Sequence, residues 1–154
     1  MTRLAVFLAT VGYCGYCPIA PGTVGSAAGL VFYLLVWWTQ SPIVEVGLIV
    51  ALFAAGVWAG TIAEHYFGGI DPGPIVIDEV VGMLITLAFI PVGWSAALAG
   101  FVLFRIFDVI KPYPAGRFEA LHGGLGVMAD DAMAAVYANL SLRFLLWLVP
   151  AWVA

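Results

Sequence analysis

Residues Ile75–Met83 read IVIDEVVGM. Two adjacent carboxylates, Asp78 and Glu79, interrupt an otherwise apolar run, in a chain of 154 residues of which only 9 % are charged. How those two acids are read decides the fold. A soluble domain is roughly half apolar and about a quarter charged, and there the pair would be ordinary surface groups. Here 64 % of the residues are hydrophobic and the mean hydropathy is +1.11. This is the composition of an integral membrane protein, in which acids beside an apolar helix are costly and need a reason. The length suits a single domain, residues 1–154. A span takes about 20 apolar residues, which leaves room for about four to five membrane segments and little else.

Upstream of the pair no charged residue occurs between Leu4 and Val44. Pro18 and Pro21 break that stretch, which predicts a short interfacial or re-entrant helix over about 4–16 and a span from Thr23 to Trp38. Trp37 and Trp38 are placed as interface anchors. Gln40-Ser41-Pro42 is a turn, and about 43–62 form a second span. Glu64–Pro74 is polar and rich in Gly and Pro, hence a loop. Downstream, Pro91 and Gly93 divide the apolar run into helices over about 78–90 and 94–110, a hairpin whose first arm is too short to span alone. Pro112 and Pro114 close the second arm. Residues 113–128 read as a loop or short helix, and 130–149 as a last helix with Arg143 inside it. The expected fold is all-α: a polytopic membrane helical bundle, some of its helices short or re-entrant. Threaded through a membrane, its polar patches fall on one face. Arg3, Arg105, Lys111 and Arg117 gather there, so the positive-inside rule makes that face, and an active site on it, cytoplasmic.

The net charge of −4 and the lack of a basic patch exclude a nucleic-acid partner. The excess of acid calls for a neutralising cation. Cys14 and Cys17 form a C-x-x-C, but a zinc site needs further ligands and the only histidines are His65 and His122. The thiols are read as structural or incidental. The apolar start lacks a small-x-small cleavage site and is not read as a signal peptide.

Four stretches carry chemistry. At Asp78–Glu79 a helix dipole accounts for one acid more easily than two, whereas a divalent cation removes the repulsion between them. In FRIFDVIKPYP (104–114), Arg105 and Asp108 lie three apart on one helix face. They form an internal ion pair, or Arg105 is a bidentate phosphate ligand with Lys111 as a second cation. In HGGLGVMADD (122–131) the glycines let a loop fold against a ligand. Asp130 and Asp131 either cap the last helix or add a second acidic pair suited to Mg²⁺, and His122 is a candidate acid or base. In PGTVGS (21–26), Gly22 and Thr23 open a helix that could hold an anion. The alternative is Thr23 as an N-cap with Gly25 and Gly29 for helix packing. Asp71 is a minor candidate for the first acidic pair. Glu64, His65 and Glu119 are read as solvated, and Arg143 as pairing or snorkelling.

PGTVGS, DPGPIVIDEVVGM, FRIFDVIKPYP and HGGLGVMADD, in this order and spacing, resemble the phosphatidylglycerophosphatase A family over about Pro18–Ala138. The resemblance implies a Mg²⁺-dependent, multi-pass enzyme of the bacterial inner membrane. It would convert phosphatidylglycerophosphate to phosphatidylglycerol and phosphate, with membrane lipids around it. The family motifs fall on Asp78, Glu79, Arg105, Asp108, Lys111, His122, Asp130 and Asp131. The expected metal ligands are Asp78, Glu79, Asp130 and Asp131. The expected catalytic residues are Asp78, Glu79, Asp108, His122 and Asp131, and the phosphate-binding residues Thr23, Arg105 and Lys111. The rival is a divalent-cation transporter or channel, which predicts acids at mid-depth along several helices. The Gly-rich first span is a possible homodimer contact.

Overall fold

A computed structural model describes residues 1–90, 93–118 and 120–149. Pro91, expected to help break the hairpin, and Glu119, expected to be solvated, lie outside the described residues. The described residues form seven α-helices and no strand: α1 Thr2–Ala9, α2 Pro21–Thr39, α3 Pro42–Phe67, α4 Ile77–Leu87, α5 Trp94–Ile110, α6 Ala115–Phe118 and α7 Gly124–Leu148.

Local chemistry sets the helix ends. Pro21 starts α2 and Pro42 starts α3 in the first turn, where a missing N–H costs nothing. The Ser41 hydroxyl accepts from the Val44 N–H at the head of α3. Gly68, at φ 78°, ends α3 by donating to the Glu64 carbonyl at 2.8 Å. α3 therefore absorbs Glu64 and His65, which the sequence places in a loop. At the N-terminus the helix stops at Ala9 rather than near residue 16. Val11, Gly12 and Tyr13 all take positive φ there, and the Thr10 hydroxyl accepts from the Tyr13 N–H. A 3₁₀ turn over Cys14–Tyr16 follows. Both cysteines are free thiols.

α2 and α3 are long and apolar enough to cross a membrane, with mean hydropathies of 1.3 and 2.1. Only 28 % and 22 % of these stretches are buried. A core helix of a soluble protein would be mostly covered; these present Val31, Leu35, Val46, Val50 and Trp58 outward. Helices of this length with uncovered apolar faces suit a membrane.

The centre is α4. It is 11 residues long and nearly all buried, packed between α2, α5 and α7. A Cβ on Gly25 would come to 2.7 Å from Val76, and one on Gly29 to 2.6 Å from Met83. The small-residue stripe of α2 thus lets α4 approach closely. That stripe packs inside the chain, against α4. On the far side, Gly100 of α5 sits against Leu87 and Leu142. Two apolar clusters, one around Met83, Leu87, Phe104 and Leu142 and one around Ala59, Ile77, Val81 and Met128, meet at Ile49, Leu52 and Ile85.

α7 begins two turns earlier than the sequence suggests. A side chain at Gly124 would strike the Val57 carbonyl of α3, and one at Gly126 the Leu121 carbonyl. The glycines of HGGLG serve close packing of the helix start rather than a loop folded over a ligand. Only Gly123, at φ 68°, uses backbone freedom in that stretch.

Candidate active site

The first turn of α4 points Asp78 and Glu79 inward. Asp78 is buried, and the Glu79 side chain is 12 % exposed. α7 brings Asp131 to them, because its close crossing with α3 and α4 turns the second helical turn inward. One carboxylate oxygen from each of Asp78, Glu79 and Asp131 can be chosen so that all lie within 4.8 Å of one another. Asp130 and Asp131 are interior to α7 and both buried, so neither caps the helix.

Arg105 reaches this cluster from α5. Its Nη1 lies 2.6 Å from Asp108 Oδ2 and 3.8 Å from Glu79 Oε1. The same nitrogen donates to Ser26 Oγ at 3.5 Å. Ser26 in turn donates to the Gly22 carbonyl at 2.9 Å. Gly22 is tight for a different reason: a Cβ there would collide with Glu79 Oε1 and lie 3.0 Å from the guanidinium nitrogens. Ser26 thus helps hold the guanidinium. The sequence reading missed it; a serine one turn into an otherwise apolar helix was the available signal.

The remaining candidates fall elsewhere. Lys111, at φ 44° on the end of α5, bonds its Nζ to Asp130 Oδ2. The Asp130 Oδ1 accepts its neighbour's backbone N–H from Asp131 at 2.9 Å. Asp130 is therefore turned to Lys111 rather than grouped with the other three acids. Thr23 is the third residue of α2, not its cap; its N–H donates to the Ala20 carbonyl at 2.9 Å. Its exposed side chain lies in a groove beside Arg105. His122 is exposed and lines a separate cavity of about 700 Å³ with Thr61, Glu64 and His65. None of the clustered acids lines it. Glu64 is not simply solvated, since its Oε1 accepts the Asp71 N–H at 3.0 Å. Asp71 lies near enough to act on Asp78 electrostatically. Arg143 pairs, as its mid-helix place suggests, with Asn139 and the end of α4.

The electrostatics are unbalanced. Asp78, Glu79, Asp108, Asp130 and Asp131 face Arg105 and Lys111, five acids against two bases. Two like charges 4.8 Å apart repel by about 3.5 kcal/mol even at an effective dielectric constant of about 20. The first turn of α4 lies outside the two spanning helices, and burial there pushes both carboxyls above their ordinary range. For Asp78 the charges of Glu79 and Asp131 add to burial. For Glu79 the charge of Asp108 adds to burial and that of Arg105 opposes it.

Buried polar groups are normally hydrogen-bonded. Asp78 Oδ1, Glu79 Oε2 and Asp131 Oδ2 are buried and accept none. Three orphaned oxygens from three carboxylates make a hard, all-oxygen donor set of the kind Mg²⁺ takes when it keeps several waters and adds phosphate oxygens. The residues present therefore fit a divalent cation, beside a guanidinium suited to phosphate.

A family model described as phosphatidylglycerophosphatase A matches residues 7–146. Phosphatidylglycerophosphatase A of Escherichia coli (strain K12) is 39 % identical over 145 residues, which is 90 % of this chain and 81 % of that protein. The Haemophilus influenzae protein of the same name is 38 % identical over 136 residues, 86 % and 83 % of the two chains. A Bacteroides thetaiotaomicron protein provisionally named a phosphatidylinositol-3-phosphatase is 37 % identical over 153 residues, 95 % and 96 % of the two. No solved structure matches. The matched region contains every residue of the cluster, from Gly22 to Asp131, and the chain belongs to the phosphatidylglycerophosphatase A family of phosphatase enzymes.

Proposed function

We propose that this protein hydrolyses the terminal phosphomonoester of phosphatidylglycerophosphate, giving phosphatidylglycerol and inorganic phosphate, at a Mg²⁺ site formed by Asp78, Glu79 and Asp131. The observation that carries this reading is the set of three orphaned carboxylate oxygens beside Arg105. The family and its named relatives support the substrate class. A bound Mg²⁺ would neutralise phosphoryl oxygens and lower the pKa of a coordinated water.

The chain's own residues do the rest. Arg105, steadied by Asp108 and Ser26, donates to the phosphoryl oxygens and stabilises charge that grows during transfer. Lys111 holds Asp130 and adds positive charge at the rim. Thr23 sits where the head group enters. Water supplies the new P–O bond, the P–O bond to glycerol breaks, and a proton goes to the glycerol oxygen. His122 stands apart from the acids, so its role as that proton's donor rests on its motif alone. If His122→Ala leaves activity unchanged, the role passes to a carboxyl of the cluster.

The chain works as one unit in the inner membrane, crossing it through α2, α3 and α7, with the α4–α5 hairpin entering from and returning to the cytoplasmic face, where the acids lie. A cation path is disfavoured because the buried acids among the described residues gather beside Arg105 and Lys111, Asp131 with Asp78, Asp108 on Arg105 and Asp130 on Lys111, and form no track along the helices. The Bacteroides relative favours a second reading, in which the lipid phosphate is a phosphoinositide.

The deciding assay is phosphate release by purified protein from each lipid, with Mg²⁺ and with EDTA. Metal-dependent release from phosphatidylglycerophosphate in preference to phosphatidylinositol 3-phosphate supports the proposal. The reverse preference selects the second reading. No release from either by folded protein refutes both.

A further inference from the structure

Beside Arg105 a shallow groove of about 550 Å³ runs along one stripe of α5. Its lining residues recur at helical spacing, Phe101 and Val102, Arg105 and Ile106, then Val109 and Ile110, with Thr23 of α2 on the opposite wall. Apart from Arg105 and Thr23 the walls are hydrocarbon. Val102, Ile106 and Val109 are exposed.

We propose that this groove seats one acyl chain of the lipid whose phosphate meets Arg105. The inference rests on the lipid-phosphatase reading and deepens it, because it assigns the place of the tail as well as the head. Arg105 is the link: it lines the groove and also touches Glu79 and Asp108 of the acid cluster. A phosphate on the guanidinium therefore leaves its hydrocarbon at the groove. The direction follows from packing. Glu79, at the start of α4, is next to Arg105, whereas Leu87, at its end, is next to Gly100. α4 and α5 thus run antiparallel, and a chain lying from Arg105 towards Phe101 and the exposed Leu98 moves away from the acids. A second apolar cavity of about 450 Å³, lined by Phe7, Val31, Phe32 and Leu52, has no charged residue in its lining. It can accept hydrocarbon but cannot tell a phosphate lipid from any other.

Inside a bilayer the tail gains little by leaving other lipid tails. The groove therefore sets position and selectivity more than affinity, and the test must read position. The full-length protein is placed in phosphatidylcholine vesicles with a non-hydrolysable diacyl phosphonate lipid carrying a diazirine on one acyl chain. After illumination the labelled residues are mapped by mass spectrometry.

Label should concentrate on Phe101, Val102 and Ile106. It should be competed by unlabelled phosphonate lipid but not by phosphatidylcholine of the same chain length. Arg105→Gln should lower it about tenfold, the loss expected of one charge-assisted hydrogen bond. Even labelling over the outer faces of α3 and α7, or labelling indifferent to Arg105→Gln, would mean bulk lipid and overturn the proposal. Cross-links between chains at these residues would mean that a second copy covers the groove, and would overturn it too.

As a second measurement, Val102→Trp should cut the ratio of kcat/KM for long-chain over short-chain lipid phosphate; an unchanged ratio counts against the groove. Labelling needs no turnover. Selective labelling without phosphate release would leave the groove standing and sink the phosphatase reading, and release without selective labelling would do the opposite.

Discussion

The two ends of α4, a helix of 11 residues, are treated in opposite ways. At the C-terminal end side chains take up the free backbone groups. Asn139 donates to the carbonyls of Ile85, Thr86 and Ala88 at 2.9 to 3.1 Å. Arg143 adds a bond to the Ala88 carbonyl at 3.0 Å and grips the Asn139 oxygen at 2.8 Å. Glu45 accepts from the Phe89 N–H, and the Tyr33 hydroxyl donates to the Ile90 carbonyl. Side chains from α2, α3 and α7 converge to close that end.

At the N-terminal end three carboxylate oxygens are left without a donor, and like charges are packed together. At the C-terminal end the buried Thr86 hydroxyl is unpartnered too, but it carries no net charge. A chain that satisfies the backbone at one end of a helix has the means to satisfy carboxylates at the other. Leaving acids unpaired there opposes folding, and it makes sense where a ligand completes the site.

Substitutions should therefore split by end. Asp78→Asn is expected to lower kcat/KM by about a thousandfold, equivalent to about 4 kcal/mol of transition-state stabilisation. In metal-free buffer the same variant should melt no lower than the parent, because a repulsive charge has gone. Thermal unfolding in detergent with EDTA checks this, and a large drop in melting temperature would show that the acid is structural.

Arg143→Ala should do the reverse. Losing the carbonyl bonds at the other end is expected to destabilise by about 2 to 3 kcal/mol, while kcat/KM per folded molecule stays near the parent's. A collapse of kcat/KM in the folded fraction would show that the closed end of α4 also governs the acids.

Mg²⁺ should stabilise the parent by about 2.7 kcal/mol at a hundredfold excess over its dissociation constant, and should leave Asp131→Asn almost unmoved. Equal stabilisation of both would remove Asp131 from the ligand set. The smallest effect is expected far from either end. Cys14→Ser with Cys17→Ser should change stability by no more than about 0.5 kcal/mol and activity not at all. A clear loss of activity would give the thiols a role.

Several features were legible along the chain. The α5 boundaries, 94–110, agree with those expected from the Gly93 and Pro112 breaks. The long apolar runs of α2 and α3 were readable because hydropathy adds up locally. The acids and Arg105 stood out because charge is rare in such a sequence. The start of α7 was misplaced because glycine, a poor helix former, is required at Gly124 by the backbone of another helix. The length of α1 was overestimated because the turn at Val11–Tyr13 uses positive φ at residues that do not advertise it. Nothing in the local sequence marks Asn139, since its partners are carbonyls at the end of a helix more than fifty residues earlier.

Composition and hydropathy are sums over neighbouring residues, so the sequence by itself determined that this is an all-helical membrane protein with a small set of charges to explain. Which charges share a site depends on how closely helices approach and how each is turned about its axis. Those are set by contacts such as Gly25 on Val76, Gly29 on Met83 and Gly124 on Val57. Only the tertiary structure could turn Asp131 towards Asp78 and Glu79, turn its neighbour Asp130 towards Lys111, and leave His122 at a separate cavity. Adjacent residues on a helix point about 100° apart, and no local pattern says which of the two faces the partner.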